Sequence, residues 1–395
     1  MRSAAEHLAQ VLALVREPGF EAVPLAGALG RMLADHVVAA GAIPPFDNSA
    51  MDGYAVRAVD VASASESAPV GLEVVGESAA GHPYPGTVGP GTAVRIMTGA
   101  PVPAGADAVI PQERVAATAT SVLVDAPPAL GAHIRRQGED AEPGSLVVPA
   151  GVELRPRHLA AAASCGVAQV LVTRRPRVAF LVTGDELVAP GGALGPGQIF
   201  ESNATYLAAA LASLGAEPVD LGTVGDSGTD VLAAVSGADA DLVITTGGAS
   251  VGDHDPVKEG LASAGVSFLT VAIQPGKPQG LGRIGGVPVV CLPGNPVAVA
   301  VCVEVFVAPA VRAMLGASEP AWEPMRALEA WRCPPGREQV MPVVLDAGGV
   351  RPATSGGSGS HLVARLAVAD GLARVRADAD AVEAGDIVAF RRFTV

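Results

Sequence analysis

Acidic side chains and glycines crowd a few short stretches of this sequence. Asp185 and Glu186 stand in TGDE, Asp226 in VGDSG, and Asp253 and Asp255 in TTGGASVGDHD. Hard carboxylate oxygens in that number suit Mg²⁺, which takes one or two of them and completes its shell with water and substrate oxygens. Gly247, Gly248 and Gly252 let the backbone approach an anion closely and turn N–H groups toward it. In LPGNP, Asn295 before Pro296 is the pattern of an N-cap followed by proline in the first turn, and such a helix end attracts phosphate-like charge. Lys277, in PGKP, can donate to an oxyanion as a compact point charge. An anion cradle beside carboxylates is the combination that metal-assisted phosphoryl or nucleotidyl chemistry requires.

Lysine and asparagine are almost absent elsewhere. There are two Lys against 24 Arg, and three Asn, in 395 residues. The survivors, Lys258, Lys277, Asn48, Asn203 and Asn295, fall in or beside the polar Gly/Pro-rich segments. A site needing an ammonium resists exchange for a broad guanidinium. Plainer roles compete. Asn203 and Asn295 are both placed to cap helices, as are Asp226 and Asp255. His254 reads as a solvated loop residue and Met51 as packing. No His or Cys pair has zinc-ligand spacing.

The elements that must position these residues follow from hydrophobic patterning. Residues 3–16 predict a helix capped by Ser3. Short β runs at 72–75, 93–97, 108–110, 121–124 and 146–148, broken by Gly and Pro, predict an all-β module. A helix at 157–165 and a strand at 169–172 follow. From residue 177, apolar strands at 178–182, 217–221, 242–245, 266–271 and 287–291 alternate with helices at 203–214, 229–235, 255–264 and 296–314. That rhythm predicts a doubly wound parallel sheet. Ligands in such sheets bind beyond the carboxyl ends of the strands, where TGDE, TTGGASVGDHD and PGNP lie. Past residue 320, β runs at 339–345, 373–375 and 387–390 predict a small C-terminal β-barrel module. The expected division is 1–43 with 141–173, an inserted β domain at 44–140, an α/β domain at 174–320 and a C-terminal β domain at 321–395.

Composition narrows the function. A formal charge of −14 argues against a nucleic-acid partner. The longest apolar run, 296–303, stops at Glu304 and is too short to cross a bilayer. Four cysteines form no CxxC or even framework, which reads as a reducing, cytoplasmic setting. The N-terminal stretch reads as an amphipathic helix rather than a signal peptide.

Turn geometry accounts for Asp47, Asn48 and Gly53 in PPFDNSAMDGYAVR, but not for Asp52 and Tyr54 between apolar flanks. RIMTGAP and RRQGED add further polar turns. With TGDEL, GQIFESN, TTGGASVGDHD, PGKP and LPGNP, these strings run in order from residue 44 to 297. Together they resemble the molybdopterin molybdenumtransferase family, which includes MoeA and the E domain of gephyrin.

The resemblance implies an elongated homodimer with an active site shared between subunits. It implies insertion of molybdenum from molybdate into adenylylated molybdopterin, with Mg²⁺ and release of AMP. It assigns Asp52, Thr98, Asp140, Glu186, Asp226 and Asp255 to catalysis, with Asp52, Glu186, Asp226 and Asp255 on the metal. Gly247, Gly248, Ser250, Lys277, Pro293, Asn295, Pro296 and Ser360 would bind the cofactor, and Arg337 is a weaker match. Two positions depart from the usual pattern. Gln274 stands where many relatives carry Lys, which removes a positive charge, and Pro256 stiffens the start of a helix. The alternative reading is a gephyrin-like scaffold that grips a partner peptide near the dimer interface and C-terminal domain.

Overall fold

The computed structural model describes residues 1–225, 227–248, 255–354 and 363–394. The chain forms two compact units: Ala22–Leu29 with Asp35–Val170, and Met1–Glu21 with Gly30–Ala34 and Leu171–Val395.

The first unit is built on a six-stranded sheet. Its strands are β1 (Gly53–Val56), β2 (Val70–Ser78), β3 (Thr92–Ile96), β4 (Ala108–Pro111), β5 (Ala116–Ala117) and β6 (Ser121–Val124), in the order β4-β1-β3-β2-β6-β5. Only β2 and β3 run parallel to each other. Leu72, Val122 and Ile110 pack with Tyr54 into its core. Tyr54 is thus a core residue, which explains its apolar flanks. The polar look of DNSAMDGY hid β1, which lies between β3 and β4 and touches both. Gly53 permits that closeness, since a Cβ there would lie 2.0 Å from the Ile110 carbonyl oxygen. Met51, expected to pack, is exposed. Leu146–Val148 pairs with Val37–Val38 in a separate ribbon.

The second unit holds α1 (Ala4–Leu14), β7 (Arg177–Thr183), α2 (Asn203–Ser213), β8 (Glu217–Val224), α3 (Gly228–Ser236) and β9 (Leu242–Thr246). It continues with α4 (Pro256–Leu261), β10 (Val266–Thr270), β11 (Pro278–Ile284), β12 (Val287–Leu292) and the helical run α5 (Pro296–Leu315). The sheet order is β8-β7-β9-β12-β11-β10. The strands β8, β7, β9 and β12 are parallel, and carry apolar cores on both faces. The sequence reading missed β11. It enters antiparallel to β12 and separates it from β10, which points the same way as β12 but pairs antiparallel with β11 at the sheet edge. Glycines 280 and 282 concealed it, because a Gly-rich run carries no alternating pattern. Those glycines are packed tightly, with the Gly280 Cβ position 2.8 Å from Cys291 Cβ. A second sheet is formed by Ile273–Gln274, Glu338–Asp346, Gly371–Val375, Ile387–Arg392 and Glu323–Arg326, with Gly349–Pro352 beside Glu338–Asp346.

Helix α5 runs on past Glu304, as the helix expected over 296–314 does. It is long and apolar enough by length and composition to cross a membrane, yet 94% of that stretch is buried inside the protein. Glu304 is fully buried because its charge is met: its carboxylate accepts from Thr394 N at 2.9 Å and Thr394 Oγ1 at 2.7 Å. Arg391 Nη2 donates to the Glu304 carbonyl at 2.6 Å, tying the C-terminal sheet to the helix. Pro309 has no amide hydrogen, and the turn before it, Val303–Val307, widens into a π segment.

Ser3 and Glu6 form a capping box at the start of α1. His7 is fully buried in this helix and packs edge-on against Phe306, with centroids 4.8 Å apart. Neither ring nitrogen has a hydrogen-bond partner. Desolvation first, and then the charge of Arg2, lower its pKa from 6.5 to about 4. The unfolded chain therefore takes up a proton near pH 6.5 while the folded protein does not until about pH 4. Stability from the neutral ring is present above pH 6.5 and is lost as pH falls through that window, to a total of about 3 kcal/mol. Denaturant unfolding measured from pH 7 to pH 4 should show this loss, and His7→Leu should remove most of it. An unchanged pH slope in His7→Leu would contradict the assignment.

Candidate functional site

The carboxyl ends of β7, β9 and β12 meet at a point too close for side chains. Gly247 follows β9 with φ +87°, and a Cβ there would lie 2.5 Å from the Thr183 carbonyl oxygen at the end of β7. A Cβ on Gly294, after β12, would lie 3.0 Å from Gly247 Cα. Parallel neighbours place all three ends on one edge, and the absence of side chains lets the turns touch. The loop convergence expected from sequence is present.

Two helix starts are fixed to this point. Asn203 does not cap α2; it lies inside the helix, and its Nδ2 donates to the Gly294 carbonyl at 2.8 Å. The capping is done by Glu201, whose carboxylate accepts from the backbone N–H groups of Asn203 and Ala204. Asp255 is buried and does cap, accepting from Lys258 N at 3.2 Å at the start of α4. Gly248, with φ +58°, lies over this cap, its Cβ position 3.1 Å from Asp255 Oδ1. Lys258 lies in α4 rather than in a turn. Ser227 caps α3, the role considered for Asp226. Asn295 occupies the N-cap position of α5 but makes no side-chain cap bond. Its Oδ1 is buried with no hydrogen-bond partner among the described residues. Pro293 is buried and Pro296 opens the helix.

Asp185 and Glu186 are exposed at the end of β7. Asp185 Oδ1 reaches toward Gly225, 2.8 Å from that residue's Cβ position. The Glu186 carboxylate folds back over Gly184, 2.7 Å from its Cβ position. Asp226, Ser250, Asp253, His254 and Ser360 lie outside the described residues. Among the described residues no three His, Cys, Asp or Glu side chains gather to hold an ion.

The Lys277 turn leaves the sheet at this same edge, because antiparallel register sets Gly280 opposite Cys291. Its backbone is held from three sides. Gln279 Nε2 donates to the Gly276 carbonyl at 2.8 Å, and Val271 N donates to the Lys277 carbonyl at 2.8 Å. Gly276, at φ +110°, sits against Cys302, whose Sγ would lie 2.6 Å from a Cβ. Burial pushes the Cys302 thiol up to about 12, so it stays protonated as a packing residue. The Lys277 side chain is exposed beyond this anchored turn.

In the other unit, Asp52 and Thr98 form a pair at the ends of β1 and β3. Asp52 Oδ1 accepts from Thr98 N and Thr98 Oγ1, both at 2.7 Å. The backbone bond first, and then the hydroxyl bond, hold the Asp52 carboxyl below its ordinary value. Asp140 is exposed in a neighbouring turn, where its backbone N donates to the Ile43 carbonyl at 2.9 Å. Asp47 joins the polar turns, accepting from Arg136 Nη1 at 2.6 Å and Gln137 N at 2.8 Å. Sequence reasoning took Asp47 as a turn former only; the nearby RRQGED string was the available signal.

Comparison with known proteins finds family models along nearly the whole chain. Residues 2–166 match the description "MoeA N-terminal region (domain I and II)", residues 179–313 "Probable molybdopterin binding domain", and residues 324–393 "MoeA C-terminal region (domain IV)". Molybdopterin molybdenumtransferase 2 of Mycobacterium tuberculosis is 42% identical over 397 residues, covering 98% of each chain. Molybdopterin molybdenumtransferase of Nostoc sp. is 42% identical, over 77% of this chain and 71% of its own. A molybdopterin biosynthesis MoeA structure from Pyrococcus horikosii superposes with TM-score 0.86 at 34% identity, covering 98% of each chain.

The Asp52–Thr98 pair makes a direct prediction. The depressed carboxyl contributes stability above its unfolded value of 3.8, and that contribution is lost as pH falls through the lower folded value. Carboxyl-carbon NMR should give Asp52 a midpoint below 3.8. Thr98→Val removes the hydroxyl bond and keeps the backbone bond, so the midpoint should rise part of the way. A wild-type midpoint at or above 3.8 would contradict the geometry.

Proposed function

This chain belongs to the molybdopterin molybdenumtransferase (MoeA) family, transferases of molybdenum cofactor biosynthesis, and from that premise we propose that it inserts molybdenum from molybdate into adenylylated molybdopterin and releases AMP. The observation that carries this reading is the approach of Thr183, Gly247 and Gly294 at the carboxyl edge of the parallel strands. Backbone at that edge is bare enough to meet a pyrophosphate or an oxyanion directly.

Individual residues then take distinct parts. Lys277, on its anchored turn, donates to an oxyanion of the substrate. With Gln274 neutral, no second lysine helps it there. Asn295 accepts a hydrogen bond through its unused Oδ1, which orients the substrate at the start of α5. Asp255 holds the start of α4 under Gly248 and acts through position. Thr98 keeps Asp52 ionised and fixed in direction, while Asp140, Asp226, Ser250 and Ser360 complete the assigned set. Hard oxygen donors such as Glu186 suit Mg²⁺, held by one or two carboxylates and completed by phosphate oxygens, where it would offset charge on the phosphates. A homodimer in the cytoplasm, and the division at 1–43 with 141–173, 44–140, 174–320 and 321–395, belong to the same proposal. The peptide-binding scaffold ranks second, because bare backbone at strand ends suits an anion better than a side-chain-bearing segment.

The test is AMP release from adenylylated molybdopterin by the purified protein as molybdate is varied. Release should depend on molybdate. Lys277→Arg should weaken that dependence by about 1.5–3 kcal/mol, as for a hydrogen bond to a charged group, because a guanidinium prefers planar partners. Release indifferent to molybdate would overturn the activity; Arg working as well as Lys would overturn the role of Lys277.

A further inference from the structure

A hollow of about 320 Å³ lies away from the loops described above, between α1 and the outer strands β10 and β11. Arg2, Gln10, Leu14, Ser267, Leu269 and Leu281 line it, and no Asp or Glu does, in a chain of charge −14. Nη1 of Arg2 is buried and has no hydrogen-bond partner. A buried donor without an acceptor is costly, and an ionised donor more so.

The Arg2 backbone is not free to carry that group elsewhere. Arg2 N donates to the Thr270 carbonyl at 3.0 Å, and its own carbonyl accepts from Ala272 N at 2.7 Å. Glu6, the nearby acid on the same helix, is engaged by its own cap: its Oε2 accepts from Ser3 N and Ser3 Oγ, each at 2.9 Å. Arg2 thus lines a hollow whose other walls are mainly aliphatic, with Gln10 and Ser267 exposed at its rim.

We propose that this hollow binds a small aliphatic carboxylate, its head on Arg2 and its tail against Leu14, Leu269 and Leu281. A guanidinium fork matches a planar carboxylate. A single lining cation offsets one negative charge, which favours a carboxylate over a phosphate dianion. Gln10 and Ser267 supply further donors to the head group. The site is independent of the molybdenum chemistry.

Calorimetric titration of the full chain with hexanoate tests this, with hexanol and inorganic phosphate as comparison probes. Hexanoate should bind saturably, and more tightly than either comparison probe by about tenfold or more. Arg2→Gln should weaken hexanoate by a similar factor while molybdate-dependent activity is retained. Ser267→Phe, at the exposed rim, should also weaken it by obstructing the hollow. Equal binding of hexanol, tighter binding of phosphate, or unchanged hexanoate affinity in a folded Arg2→Gln protein would overturn the proposal. Should Arg2→Gln fail to fold, unchanged affinity in Ser267→Phe overturns it.

Discussion

Backbone contact without side chains at the end of the parallel strands is the constraint on which the second unit depends. Thr183, Gly247 and Gly294 approach so closely that a Cβ at either glycine would meet the neighbouring backbone at 2.5 or 3.0 Å. That closeness needs three parallel strands ending at one edge, which in turn needs helices to return the chain each time. It also needs the helix starts to be held by something other than the loops. Glu201 caps α2, Asp255 caps α4, and Asn203 ties α2 to Gly294. Polar groups here are therefore spent in part on geometry, and the backbone at this edge is left without side chains.

The charges inside this unit are handled differently from those at its edge. Glu304 sits in the most apolar helix of the chain, yet Thr394 meets its carboxylate and Arg391 its carbonyl. Breaking such a pair on one side is far costlier than its presence is favourable. The last strand is thereby fastened to α5, the helix that begins at Asn295.

Much of this was legible in the sequence, for reasons that are local. Continuous apolar runs marked β7, β9 and β12, and the Gly-rich turns after them marked the edge where the strand ends converge. What escaped was non-local. The strand β11 has glycines where it is most tightly packed, so it shows no alternation. The strand β1 carries Tyr54 into the core within a polar stretch, and its Gly53 answers to Ile110 far away in sequence. The charge at Glu304 ends the longest apolar run, and what allows it inside α5 is visible only once Thr394 and Arg391 are brought to it. The scarcity of asparagine was informative about place but not about role: Asn203 is a cross-loop donor and Asn295 an unpartnered acceptor, where capping was the simpler reading. Asp52 stood out between its apolar flanks and Thr98 lay in the polar RIMTGAP turn, but their pairing is visible only once β1 and β3 are adjacent.

The central claim is that bare backbone at the strand ends binds the phosphate-bearing substrate. Gly294→Ala tests it most directly, because the residue is exposed and its new Cβ would meet the Gly247 backbone, 3.0 Å from Cα and 3.4 Å from N. Titration of wild type and Gly294→Ala with adenylylated molybdopterin, alongside their thermal unfolding, would separate binding from folding. The account predicts a variant that folds with a lowered melting temperature and an affinity lower by about tenfold or more. Equal affinity in a variant shown to be folded would contradict it.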